Sequence, residues 1–380
     1  MRVLVCAEVQ WRYVRTRKQQ LLTRFPAGWT ILFLQPYVRG RRNAWFPRRD
    51  GRITYVTVPV LKNVPQEGVR RLLALGSVRA VANGMLLVWV WVWRLVLGFA
   101  GRDVVLYVSN IYYGRVLPCL PRRAALYDCN DNHLAFPGTP PWARGYFERL
   151  VRGVDCVVVS QPFLREDMEG LRDGGLVEIG NGVDFALFDR AWRAPEQPAS
   201  LAALPVPRLG YAGALAEWID FALLEHVAAA LPEASLVLVG PSVGAAPAVQ
   251  RLVAQANVHW LGAVPHAELP HYVAGMDVCL IPFRSTPLTR GVNPNKLYEY
   301  FALGKPVVST DFSPYIHAFE PLLHVGASPA EVVQRLRDCL AVPGDAAARR
   351  ELARRHTWDD AAARMVQLLE RLAASAGKPL

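Results

Sequence analysis

Short apolar runs bounded by glycine, proline or polar residues recur along the whole chain, and most are separated by stretches with helical spacing. In the first half the runs are VLVCA (3–7), WTILFLQ (29–35), ITYVTVP (53–59), VVLYVS (104–109), AALYDC (124–129), DCVVVS (155–160) and LVEIG (176–180). In the second half they are RLGYAG (208–213), SLVLVG (235–240), NVHWLG (257–262), DVCLIPF (277–283), PVVST (306–310) and LLHVG (322–326). This alternation predicts an α/β fold of two doubly wound, Rossmann-like domains with parallel sheets. The Pro- and Ala-rich stretch 193–207 reads as the linker between an N-terminal domain over 1–192 and a C-terminal domain over 208–357. A last helix over 358–376 is expected to pack back on the first domain. Ligands of such sheets bind at the carboxyl ends of the strands, so a cleft between the two sheets is the expected site.

One segment departs from the alternation. GMLLVWVWVWRLVLGFAG, from Gly84 to Gly101, is nearly long enough to span a bilayer, but Arg94 interrupts it and Arg102 and Asp103 close it off. The main readings are a helix packed in the fold, or one lying in a membrane interface with its tryptophans at headgroup level, with a true span as the third.

Composition narrows the function classes. A length of 380 residues suggests about two domains, and 52% apolar with 20% charged residues excludes wholesale disorder. The net charge of +11 is concentrated in arginine-rich runs of the first half: Arg12, Arg15, Arg17 and Lys18, then Arg39, Arg41 and Arg42, then Arg48 and Arg49. No RNA-reading aromatic signature, zinc finger or helix-turn-helix accompanies them, so phosphates or anionic lipid are favoured over nucleic acid. The six cysteines are scattered without a CxxC and read as reduced residues of a cytoplasmic protein. MRVLVCAEVQ is a strand opening, too short in its apolar run for a signal peptide. Neither a GxGxxG after the first strand nor a P-loop is present, which weakens NAD- and ATP-dependent readings.

The stretch NPNKLYEYFALGKPVVSTDF (293–312) carries the candidate chemistry. Asn293 is placed to cap a helix, Pro294 suits its first position and Gly304 its left-handed end. Lys296 and Glu299 then share a face near the helix start, where free backbone N–H groups favour an anion. Tyr298, Tyr300 and Phe301 read as packing residues.

Four blocks in order, YAGAL, LVLVGP, NVHWLGAVPHAELPHYVAGMDVCLIPF and NPNKLYEYFALGKPVVST, make the second half resemble the nucleotide-sugar domain of GT-B glycosyltransferases. The resemblance is to the large retaining group that includes bacterial polysaccharide and teichuronic-acid-type enzymes. The first half is similar to the acceptor domain through its opening strand, LYDCNDNHLAF, and VVVSQPFLREDM leading to IGNGVDFALF. The resemblance implies that Glu299 binds the donor ribose and that Lys296, with Gly213 and Asn293 beside it, meets the diphosphate. The resemblance also implies that Val264 and Pro265 line the base, and Arg290, on the loop before the helix, is expected to assist the phosphates. Lacking a DxD motif, such a site is expected to work without a metal or other cofactor.

Two positions depart from the family pattern. Gly291 stands where many retaining members have a second glutamate, and no lysine or arginine follows YAGAL. In the first half, Asp131 and His133 are the candidate catalytic residues for the acceptor hydroxyl, Asp128 a loop-holding residue, and Trp11, Arg15 and Arg17 the candidate acceptor contacts. The expected activity is transfer of a sugar, with retention, to a cell-envelope or exopolysaccharide precursor, lipid-linked at the inner membrane face. A nucleotide-sugar epimerase of the same fold, or an inactive sugar-nucleotide-binding subunit, is the alternative.

Overall fold

Each of the apolar runs contains a strand in the structure, a computed structural model that describes residues 1–12, 15–61 and 66–375. The first eight strands are β1 (Arg2–Cys6), β2 (Thr30–Pro36), β3 (Arg48–Asp50), β4 (Ile53–Val58), β5 (Val104–Val108), β6 (Ala124–Cys129), β7 (Cys156–Val159) and β8 (Leu176–Glu178). They form one sheet in the order β3-β4-β2-β1-β5-β6-β7-β8, parallel except for the β3–β4 pair. β3 was not foreseen: its residues RRD are all exposed at the sheet edge, so no apolar pattern announces it.

The remaining strands are β9 (Arg208–Ala212), β10 (Ser235–Val239), β11 (Val258–Trp260), β12 (Val278–Ile281), β13 (Val307–Thr310) and β14 (His324–Gly326). They form an all-parallel sheet in the order β11-β10-β9-β12-β13-β14. Each sheet therefore has a point where the strand order reverses. In the first it lies between β1 and β5, and in the second between β9 and β12. Loops leave the carboxyl ends in opposite directions there and open a crevice for a ligand.

The chain divides into two compact units, residues 1–180 together with the chain from Ala362 onward, and Asn181–Ala361. The crossing thus falls at 180/181 and not within 193–207. That stretch belongs to the second unit because Leu201, on a short helix inside it, is fully buried in the second core. The final helix, Trp358–Ala374, joins the first unit from Ala362 and buries Met365, Leu368, Leu369 and Leu372. Five of the cysteines are buried, Cys119 is exposed, and all six are free.

The apolar helix is longer at its start than its sequence suggested, running from Gly76 to Val96. It stops where Gly98 (φ 76°) turns the chain and the Phe99 N–H donates to the Arg94 carbonyl. Only Leu86, Val90 and Arg94 are buried along it. The packed-helix reading therefore holds for one stripe alone.

Candidate functional site

In the second unit, the reversal between β9 and β12 is occupied by Lys296. Its helix begins at Asn295 with Pro294 in the capping position, and no side chain caps it. Asn293, expected as the cap, instead lies buried before the helix, with its carbonyl accepting from Asn181 Nδ2 at 2.8 Å and its amide reaching the Tyr315 hydroxyl at 3.4 Å. The helix ends as the sequence indicated. Gly304 takes φ 62°, its N–H donates to the Phe301 carbonyl, and the Lys305 N–H donates to that of Tyr300.

The Lys296 ammonium lies 5.2 Å from the ring centre of Tyr211 and 5.1 Å from that of Phe283, at the ends of β9 and β12. Among the described residues no carboxylate or carbonyl accepts from it. Burial pulls its pKa down to about 8, against the smaller upward pull of Glu299. Gly213 gives it room. That residue has φ +150°, and a Cβ there would stand 2.9 Å from Lys296 Cε and 3.0 Å from Nζ. Glu299, one turn along the helix, is similarly unengaged: His266 Nε2 stands 3.8 Å from it, and no donor among the described residues forms a hydrogen bond to it. A cation and a carboxylate are thus held side by side, each without a protein partner that satisfies it. Such groups call for a ligand bearing both anionic oxygens and hydroxyls.

In the first unit, the reversal between β1 and β5 gathers a denser polar cluster. Asp128, fully buried on β6, receives Arg17 Nε at 3.0 Å on both oxygens and the Tyr107 hydroxyl on one. Burial alone would raise its pKa, but Arg17 and Lys18 bring it below the usual carboxylate value. Lys18, itself buried, pairs with Glu8 and donates to Asn130, while the Ser109 hydroxyl donates to the other Glu8 oxygen. Asp131 takes a hydrogen bond from the Asn130 amide, and desolvation, opposed by Lys18 and reinforced by Glu8, pushes its pKa up to about 7. His133 meets the Tyr127 hydroxyl through Nδ1 at 2.8 Å, and burial drives it down to about 4, so it is neutral at neutral pH.

Residues 206–347 match the family described as glycosyl transferases group 1. Those residues, inside the second unit, form a group 1 glycosyltransferase domain. Over 225 residues the chain is 27% identical to a protein named as the teichuronic acid biosynthesis glycosyltransferase TuaH of Bacillus subtilis (strain 168). That match takes in 56% of this chain and spans 55% of the length of the relative. Among solved structures, sucrose-phosphate synthase from Thermosynechococcus elongatus superposes with TM-score 0.75 at 16% identity, covering 98% of this chain and 99% of that one. The α,α-trehalose 6-phosphate synthase from Burkholderia multivorans gives 0.68 at 13%, covering 99% and 97%. HepE from Anabaena in complex with UDP gives 0.65 at 15%, covering 98% and 100%. The fold is GT-B, as the sequence resemblance implied.

Within the glycosyltransferase domain the structure brings together Gly213, Lys296 and Glu299. Val264 packs half-buried on the core, and Pro265 is exposed in the loop that holds His266. Arg290, an exposed residue, ends a short helix, and its carbonyl accepts from Ser313 Oγ at 2.8 Å. In the first unit two expected acceptor contacts move inward. Arg17 is spent on Asp128, and Trp11 is buried edge-on to Phe33 with Nε1 donating to Asp50 at 3.0 Å. Arg15 stays exposed, beside a shallow concavity of about 500 Å³ that Trp11, Arg12 and Arg52 also line. Glu8, Lys18, Ser109 and Asn130 were not singled out as site residues. Glu8 had a signal, a carboxylate two positions past a buried strand, but Lys18 was hidden in a basic run that looks solvated. Among the described residues no group of three or more His, Cys, Asp or Glu is placed to hold a metal ion.

Proposed function

We propose that this chain is a retaining glycosyltransferase that moves a sugar from a nucleoside-diphosphate sugar to a lipid-linked cell-envelope or exopolysaccharide precursor at the inner membrane face. The observation that carries the donor assignment is the Lys296 ammonium beside Gly213, from which no carboxylate or carbonyl among the described residues accepts, with the Glu299 carboxylate, 3.8 Å from His266 and without a hydrogen-bond donor among those residues, one turn away. The departing diphosphate gains charge as the glycosidic bond breaks, and a preorganised cation with helix N–H groups stabilises that charge. Glu299 accepts from the ribose hydroxyls, and His266, Val264 and Pro265 face the base. Donor binding through Lys296 and backbone N–H groups requires no divalent metal. On the acceptor side Asp131 is the better proton acceptor, since a pKa of about 7 leaves it half ionised near neutrality while His133 at about 4 is a weak base. The name of the TuaH relative supports a cell-envelope acceptor, and the UDP held by HepE supports a uridine nucleotide.

Calorimetry with UDP tests the donor site. Lys296→Ala and Glu299→Ala are each expected to cost roughly 1.5 to 3 kcal/mol of affinity, the worth of a hydrogen bond to a charged group. Both variants should unfold at wild-type denaturant concentrations, and UDP affinity should be the same in EDTA as in magnesium. Wild-type affinity in both variants, or loss of binding in EDTA, overturns the assignment. A new glycosidic bond in the product, as opposed to a free isomerised sugar nucleotide, separates transfer from epimerisation.

A further inference from the structure

The helix Gly76–Val96 carries two faces of opposite destiny. Leu86, Val90 and Arg94 fall at four-residue steps and are buried. Arg94 ties that stripe to the domain, donating from Nε to the Phe99 carbonyl at 2.8 Å and from a terminal nitrogen to those of Gly101 (3.3 Å) and Pro121 (2.5 Å). On the other side Val81, Met85, Val88, Val92 and Leu95, spaced by four and three residues, form one continuous outward face. They are 65%, 59%, 64%, 46% and 63% exposed. By length and composition this helix is apolar enough to cross a membrane, yet Leu86, Val90 and Arg94 commit one stripe of its second half to the fold.

The outward face does not stand alone. Leu72 and Leu75, from the preceding Glu67–Ala74 helix and its end, are also more than half exposed. On its flank, exposed Trp45 and Phe46 meet Trp89 and Trp93 edge-on at 6.1 and 6.4 Å, and Tyr37 stacks on Trp45 at 5.7 Å. Exposed arginines accompany these apolar groups: Arg39, Arg41, Arg42, Arg48 and Arg49 around the aromatic loop, and Arg70 and Arg71 on the Glu67–Ala74 helix. Aliphatic residues outward, aromatic rings beside them and guanidinium groups at the margin match the layers of a bilayer surface, from acyl chains to interface to anionic headgroups. A second copy of the chain would bring like-charged arginines against these arginines.

We propose that this surface docks the first unit peripherally on an anionic membrane, with the Gly76–Val96 helix lying in the interface plane and not across the bilayer. The inference rests on the reading of a lipid-linked acceptor only for its purpose; the docking itself is tested without donor or acceptor. The measurement is flotation of the full chain with vesicles of phosphatidylcholine, alone or with phosphatidylglycerol. Wild type should float with the anionic vesicles, less so in high salt, and the triple variant Val88→Glu, Val92→Glu, Leu95→Glu should stay in solution while binding UDP as wild type does. Should that variant misfold, Val88→Glu alone and Arg39→Gln, Arg41→Gln, Arg42→Gln decide, the latter expected to lose about fivefold in partitioning per arginine removed. Failure of the wild type to float overturns the proposal, as does unchanged flotation of the variants. Resistance to extraction by alkaline carbonate would show a span instead, and a dimer dispersed by the triple variant without vesicle binding would show a second copy to be the occupant. Loss of UDP binding by the wild type would sink the donor reading and leave docking untouched.

Discussion

At the scale of single residues, the protein holds charges that its own fold disfavours. Lys296 has its folded pKa lowered from 10.5 to about 8, so its protonated form is the disfavoured one in the empty site, and stability rises with pH between those values. A bound diphosphate reverses the preference. UDP binding should therefore take up protons near pH 8, and affinity should fall by about tenfold per pH unit above it, as calorimetry in buffers of different ionisation heat would read. In Lys296→Arg that fall should vanish below pH 10. Asp131 shows the opposite sign. Its folded pKa is raised to about 7, so the protonated form is favoured on folding, and stability drops as pH rises from 3.8 to 7. Asp131→Asn is expected to raise the melting temperature at pH 8, leave it unchanged at pH 3, and abolish most transfer. A melting temperature that falls at pH 8 would make Asp131 a structural carboxylate and not a poised base.

At the scale of elements, the polar residues after β1 act as a brace between strand ends. The Arg17–Leu22 helix is buried along its whole length, and its arginine and lysine reach Asp128, Asn130 and Glu8 on neighbouring strand ends. Arg17→Leu should leave Asp128 buried without its counter-ion and cost about 3 to 5 kcal/mol in urea unfolding, far beyond a surface arginine. The paired change Arg17→Leu with Asp128→Asn should recover much of that loss. This element also marks where the sequence stopped being legible. Strands and the Asn295–Ala302 helix were readable because apolar runs, Pro294 and Gly304 each speak through local chemistry. The basic run from Arg12 to Lys18 has the composition of a solvated face, and only Asp128, buried on β6, and Glu8, just past β1, turn Arg17 and Lys18 inward. The Gly76–Val96 helix was ambiguous for a related reason: an all-round apolar pattern does not say which stripe the sheet will cover, and Arg94, which looked like an interruption, is the residue that anchors it.

At the scale of the whole molecule, the alternation of runs and helices foretold two sheets, but not that the first unit is made from two separate lengths of chain. The Pro-rich stretch around 193–207 has a linker's composition, and local pattern gave no means of seeing that Leu201 fills the second core. The donor residues were legible because they share one twenty-residue block, whereas Glu8 and Asn130 meet Lys18, and Ser109 meets Glu8, only through the order of strands in the sheet. A fragment over 181–361 is expected to unfold cooperatively by itself and to bind UDP. A fragment over 1–180 lacks Met365, Leu368, Leu369 and Leu372, each worth roughly 1.5 to 3 kcal/mol when fully buried, and should show exposed apolar surface to a hydrophobic dye. The return of the chain at Ala362 also imposes an order on biosynthesis. As the polypeptide leaves the ribosome, the half made first must wait with an uncovered apolar seam, carrying its outward-facing tryptophan-flanked helix, while the half made second closes at once. The nascent protein is thus most adhesive during the interval when it is still tethered, and a nearby bilayer or chaperone meets it before its own last helix does.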